Sequence, residues 1–323
     1  MSDHILHAYE LDGAGGGVCL EKNAISQDFQ GRHFTWIHLD GENIETRNWL
    51  ETRITGLDQF VIDALLAEET RPRVVELSEG VLLNLRGVNL NDNADPEDMV
   101  SIRLWIEKNK IISVRRRKLK AIQDIVSRIE TGKGPHTPGD FICALVSLLF
   151  KRMNSALSAL NEQTDIIETQ VLESANVSQR EEIVDVRKQA IVFRRYIAPQ
   201  RDAISRLREI ELDILSDMNR RYLQECLNDT TRNIEDLDAI RERAQIVKDE
   251  LANIMADKLN KNMYVLSIIA AIFLPLGFLT GLLGINVGGI PGADNNSAFW
   301  AFLLILTVIV AIQVWIFKKQ KWF

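Results

Sequence analysis

Apolar residues recur along this chain with two different periods, and in its last quarter they become almost continuous. Up to about residue 118, strand-like runs alternate with short helical ones. RHFTWIHLDGEN (32–43) is rich in β-formers and stops at the turn dipeptide Asp40-Gly41. Val100, Ile102, Leu104 and Ile106 alternate with other residues, and Lys108-Asn109-Lys110 then reads as a turn into IISV. TGLDQFVIDALLAEE (55–69) has helical spacing instead. A mixed α/β domain is therefore expected over residues 1–135.

The clearest linker is GKGPHTPG (132–139), after which the pattern is helical over 137–262. Thr137 is placed to cap a helix whose first position is Pro138. A break is expected near Ala175-Asn176, with Ser178 and Glu181 as a capping box for the next helix. Pro199 is expected to kink or end that helix. From Asp217 onward no proline occurs before Pro275 and no glycine before Gly277. Ile240, Ala244, Val247, Leu251 and Ile254 repeat in steps of four and three, a coiled-coil-like stripe that gives several copies of the chain a reason to associate. One helix over 217–283 would be roughly 100 Å long at 1.5 Å per residue. This is a long α-helical stalk continuous with an apolar segment.

Two runs are membrane-length. Tyr264 to Ile285 and Ser297 to Phe317 contain no ionisable group beyond the Tyr264 phenol, and each matches a hydrocarbon core of roughly 30 Å. The expected spans are 263–285 and 298–317. Lys258 and Lys261 precede the first run, and Lys318, Lys319 and Lys321 follow the second, whereas the loop 286–297 has neither Lys nor Arg. The positive-inside rule then puts both termini and the basic tail 318–323 in the cytoplasm, with the loop outside. Trp300 and Trp315 stand near the two ends of the second run, where interfacial rings are favoured.

The net charge of −7 adds a weak argument against nucleic acid as a partner, and RRRK (115–118) reads as a solvated strand end. Cys19, Cys143 and Cys226 form no ligand spacing and read as reduced thiols. The beginning of the chain lacks the basic start and long apolar stretch of a signal peptide, so the first 260 residues are expected to stay on the side of synthesis. No nucleophile–base set, glycine-rich phosphate loop or metal-ligand cluster points to an enzyme.

Seven-residue stepping through the first apolar run picks out Asn260, Met263, Ser267, Ala270, Leu274, Gly277, Gly281 and Gly284. This stripe is small or weakly polar in large part, while bulky residues such as Ile268, Ile269, Ile272, Phe273 and Phe278 take the other faces. Close packing through the Gly277/Gly281 GxxxG and the lining of a water-filled path both account for it. Pro275 removes a donor in mid-helix. Two such helices cannot enclose a channel, so conduction needs several subunits.

Gly284-Ile285-Asn286, closing the helix LNKNMYVLSIIAAIFLPLGFLTGLLGIN and followed by a short loop, a second apolar helix and KKQKWF, resembles the CorA superfamily of metal-ion transporters. Most members carry Gly-Met-Asn at this place. The Gly-Ile-Asn form followed by VGGIPGA is similar to the zinc-transporting ZntB branch. The close match covers residues 258–323. The resemblance implies a CorA-like fold, a homopentamer in a bacterial inner membrane, and a central pore lined by the first membrane helix. Asn286 would form a ring at the outer mouth, with Gly284 and Ile285 beside it. Leu274 and Met263 fall where relatives have apolar constrictions. Gly277 departs from the threonine of magnesium-type relatives, although Thr280 is nearby. Zinc would be substrate rather than cofactor, with cadmium, nickel and cobalt as further cations. A CorA-type magnesium, cobalt or nickel channel is the alternative, and a membrane-anchored coiled-coil scaffold is the alternative of another class.

Zinc is usually held by Cys, His or carboxylate ligands, and none occurs between Lys261 and Gly292. The path is therefore expected to pass a largely hydrated ion without a tight metal site, which suits throughput. His4, His7, His33, His38 and His136 all lie in the first half, and the odd separation of His33 and His38 puts them on opposite strand faces. Asp249, Glu250 and Asp257 on the inner side and Asp294 outside are the carboxylates available to attract cations. Proton coupling, which the resemblance allows, has no intramembrane carboxylate to carry it.

Overall fold

The computed structural model describes residues 4–20, 34–54, 56–284, 290, 292 and 295–319. His33, Ile285, Asn286, Asp294 and Lys321, all singled out above, lie outside the described residues. The chain divides into two compact units, Met1–Asp249 and Glu250–Phe323.

The first unit is built on a seven-stranded sheet. Its strands are β1 (Ile5–Leu11), β2 (Gly17–Cys19), β3 (Thr35–Asp40), β4 (Arg73–Leu77), β5 (Gly80–Gly87), β6 (Val100–Glu107) and β7 (Lys110–Arg115), in the spatial order β2-β1-β3-β7-β6-β5-β4. Among the described strands only β3 and β7 pair in parallel, Trp36 beside Ile111 and His38 beside Ser113. The expected turn at Lys108-Asn109 joins β6 to β7, and β3 ends at Asp40, one residue before Gly41.

Alternation along β3 sends its side chains to two cores. Ile37 and Leu39 pack with Trp49 and Leu50 of α1 (Glu45–Arg53) and with Val61, Ile62 and Leu65 of α2 (Gln59–Leu66). Trp36 faces the other way, its ring 5.0 Å from that of Phe141 in α4 (Pro138–Ser174). Helix α3 (Lys120–Glu130) and α5 (Gln179–Arg208) complete the helical side of the unit. Thr137 caps α4 as its spacing predicts, its hydroxyl accepting from Asp140 N at 3.1 Å, with Pro138 at the first position.

Two local expectations change. The start of α5 is closed two residues earlier than the Ser178/Glu181 pairing: Gln179 Oε1 accepts from Asn176 N at 2.9 Å, and Asn176 Oδ1 accepts from Ser178 N. Asn-x-x-Gln makes a variant of the Ser-x-x-Glu cap, in which the Asn176 side chain takes the second following N–H rather than the third. Pro199 lies inside α5, which continues to Arg208. Proline removes one helical bond there. Ile197, Gln200, Ala203, Ile204 and Leu207 around it are buried, and Gln200 Oε1 accepts from Arg86 N of β5 at 2.7 Å, so tertiary packing outweighs the lost bond.

Helix α6 spans Asp217–Leu283 without interruption. Within the first unit it runs parallel to α4. Asn219 Nδ2 donates to Asp140 Oδ1 (2.9 Å), Asn233 Nδ2 to Asn154 Oδ1 (2.7 Å), and Arg243 to Asp165 and Glu168 (2.5 Å each). On α5, Arg194 Nε meets Asp238 Oδ1 at 2.8 Å. The stripe of Ile240, Ala244 and Val247 is buried within the chain itself, Ala244 and Val247 sharing a cleft with Thr164, Ile167, Ile183 and Val186 of α4 and α5. This corrects the coiled-coil expectation: heptad-like spacing marks a helix that needs an apolar neighbour, and here α4 and α5 supply it.

The second unit contains the remainder of α6 and helix α7 (Ala298–Lys319). Both are long and apolar enough to cross a membrane, and only 6% and 0% of their most apolar windows are buried.

Candidate ion path

Within the second unit, α6 has two contrasting faces. Ile268 is buried, and Ala271, Ile272, Leu276 and Leu279 are half-buried. At 100° per residue these positions share one side of the helix. Asn260, Met263, Ser267, Ala270, Leu274, Gly277, Gly281 and Gly284 gather on the opposite side, and every one of them is exposed. Leu274 is 77% and Met263 56% exposed, figures no lone soluble chain would sustain over such a run. Thr280, also exposed, sits on the flank.

The hydroxyls on this helix serve their own backbone. Ser267 Oγ donates to Met263 O at 2.8 Å, and Thr280 Oγ1 donates to Leu276 O at 2.8 Å with Gly277 O at 3.2 Å. Each hydroxyl oxygen keeps its acceptor lone pairs for an outside partner. A Cβ added at Gly277 or Gly281 would meet nothing within 4 Å, so the GxxxG is not used for contact with α7. Gly284 N closes the last turn on Thr280 O at 2.9 Å. Between the helices lies a groove of about 660 Å³, edged by Phe273, Gly277 and Thr280 on α6 and by Leu306, Thr307 and Val310 on α7.

Asp249, Glu250 and Asp257 are exposed, and Asp249 accepts from Gln245 Nε2 at 2.8 and 3.0 Å. Among the described residues no three His, Cys, Asp or Glu side chains are grouped to hold a metal. His38 is fully buried with Nδ1 2.8 Å from Ser113 Oγ, and the His7 ring stacks on it at 6.0 Å. Burial first, then the Arg115 and His7 charges, hold the His38 pKa well below the usual histidine range. His4 is buried beside Trp49, its Nδ1 3.4 Å from Glu45. Burial pushes the thiols of Cys143 and Cys226 up to about 12 and about 11, so neither is disposed to ligate as thiolate.

One residue escaped the sequence reading. Gln313, the only amide side chain in α7, donates Nε2 to Ala271 O on α6 at 3.2 Å. A lone amide in an apolar run was the signal available.

Comparison with known proteins extends this geometry. The model of the family described as CorA-like Mg2+ transporter protein matches residues 31–319. The chain is 38% identical over 321 residues to the divalent cation transporter CmaX of Pseudomonas aeruginosa, covering 98% of this chain and 96% of that one. It is 38% identical over 318 residues to the zinc transport protein ZntB of Pectobacterium atrosepticum, covering 98% and 95%. The solved structure of full-length CmaX superposes with a TM-score of 0.86 at 37% identity, covering 99% of this chain and 98% of that one.

Proposed function

This chain belongs to the CorA-like family of Mg2+ transporter proteins and is a divalent-cation transporter; on that premise we propose that its principal cargo is zinc, carried through a pore along the axis of a homopentamer. The observation that carries the reading is the exposed face of α6. Its small and weakly polar residues, Asn260, Ser267, Ala270 and Gly281, lie away from the buried side marked by Ile268, and Gly277 joins them at the edge of the groove toward α7. Lining a shared path gives that face a solvent of its own, and two helices per chain require several chains to close the wall.

In this reading the α6 residues 263–285 and the α7 residues 298–317 cross the inner membrane, with 286–297 outside. Lys258, Lys261, Lys318 and Lys319 on one side of the two spans favour cytoplasmic termini. Asn286 offers amide oxygens to the arriving ion, Gly284 lets the backbone approach, and Ile285 lies between them. Leu274 and Met263 narrow the path. Backbone carbonyls and the lone pairs of Ser267 and Thr280 receive a cation that keeps most of its water. Asp249, Glu250 and Asp257 raise the local cation concentration at the inner end, and Asp294 does so outside. Zinc is favoured over magnesium by the relatives named as zinc transport proteins and by Gly284-Ile285-Asn286.

The test is zinc uptake by liposomes holding the purified protein and an internal zinc dye, with magnesium, cobalt, nickel and cadmium as competitors. Asn286→Ala is expected to lower flux by about tenfold or more, the scale of one lost hydrogen bond to a charged, hydrated ion. Unchanged flux in an assembled variant would overturn the role of Asn286. Magnesium carried in preference to zinc would reassign the cargo, and an imposed pH gradient reads proton coupling directly.

A further inference from the structure

Helix α7 carries only two polar side chains between Ala298 and Phe317, Thr307 and Gln313. Thr307 donates to its own helix, at Leu303 O (2.8 Å). Gln313 reaches across to α6 and donates to Ala271 O (3.2 Å).

That carbonyl is a special one. Ala271 stands four residues before Pro275, the single proline inside α6. In an unbroken α-helix the carbonyl of residue 271 accepts from the N–H of residue 275, and proline has no N–H to give. The lone amide of α7 therefore falls on the one carbonyl that the lone proline of α6 leaves without a helical donor. In hydrocarbon such an acceptor has no water to turn to, and neighbouring helices are what re-satisfy it. Gln313 Oε1 is buried and takes no hydrogen bond among the described residues, so the donor end alone carries the contact.

We propose that Gln313 is a positioning residue for transport: it supplies the donor lost at Pro275 and thereby fixes the rotation of α6 at the turn that presents Ala270 and Leu274. This rests on the reading of α6 as the wall of the ion path. Because Leu274 follows Ala271 by three residues, a rotation of this turn moves the Leu274 side chain directly.

The experiment is a double-mutant cycle in the assembled, full-length protein. Wild type, Gln313→Leu, Pro275→Ala and the double variant are compared for zinc flux in liposomes and for melting midpoint in detergent. Gln313→Leu is expected to lower flux about threefold, the factor that an average interhelical hydrogen bond in a membrane supplies. Restoring the backbone donor with Pro275→Ala should make flux and midpoint indifferent to Gln313→Leu. Equal losses from Gln313→Leu in both backgrounds would overturn the proposal, as would no loss in either. A wild type without flux for any tested divalent cation would sink the transport reading instead, while the midpoints still report whether Gln313 matters only when Pro275 is present.

Discussion

Helices α4 and α6 both contain a segment long and apolar enough to cross a membrane, at mean hydropathies of 1.3 and 2.3, yet they meet different surroundings. Over its most apolar window α4 is 56% buried, with Phe141, Leu145 and Leu149 almost wholly enclosed. The corresponding window of α6 is 6% buried and that of α7 is 0%. The difference lies in what the chain provides: a seven-stranded sheet and α5 cover α4, while the apolar part of α6 receives only α7 along one side. Hydropathy identifies a helix that must leave water, and the rest of the fold decides whether protein or lipid receives it.

The sharpest way to break this contrast is to remove a large side chain from α4. Phe141→Ala should destabilise the first unit by about 3–5 kcal/mol, because the ring is fully enclosed against Trp36 and Phe34. Chemical denaturation of the intact protein measures it, and a loss below about 1 kcal/mol would mean that α4 is not a core helix.

A smaller effect separates the units by pH. Folded His38 is held neutral, whereas an unfolded histidine titrates near pH 6.5. Stability is fully present above about pH 6.5. It falls as pH drops toward the folded value, because only the unfolded chain takes up the proton. The slope from His38 is at most about 1.4 kcal/mol per pH unit, and His7, also lowered chiefly by burial, adds in the same direction. His38→Asn should flatten the curve between pH 5 and 6.5 in an unfolding titration. An unchanged slope would relocate the sensitivity elsewhere.

The smallest expected effect is the most discriminating. Leu274→Ala should change stability by less than about 0.5 kcal/mol while altering ion flux, because its side chain is 77% exposed within the chain. A large loss of stability, read as a detergent melt, would put Leu274 in a packed interface rather than along a path.

Much of this organisation was legible in the sequence, for reasons that differ by element. The two apolar spans, the Thr137-Pro138 helix start and the turn between β6 and β7 are local, and each depends on a few adjacent residues. The parallel pairing of β3 with β7 joins residues about 75 positions apart, as Trp36–Ser113 and His38–Ser113 do, and no local pattern encodes it. The burial of the Ile240–Val247 stripe was misread for the same reason: periodicity specifies that a face is apolar, not whose side chains cover it. For the candidate path, the stepping from Asn260 to Gly284 can be read from helical period alone. The Gln313–Ala271 contact could not, since it joins two helices at a distance of 42 residues.

The pairing of α4 with α6 has a mechanical consequence. Asp140–Asn219 and Asn154–Asn233 share the same offset of 79 residues. The two helices thus keep step for about four turns. Such a pair behaves as a keyed shaft. A shift of α6 along α4 by less than a turn would break both hydrogen bonds together. Small axial displacements of this part of α6 are therefore not absorbed by slippage, and α4 travels with it.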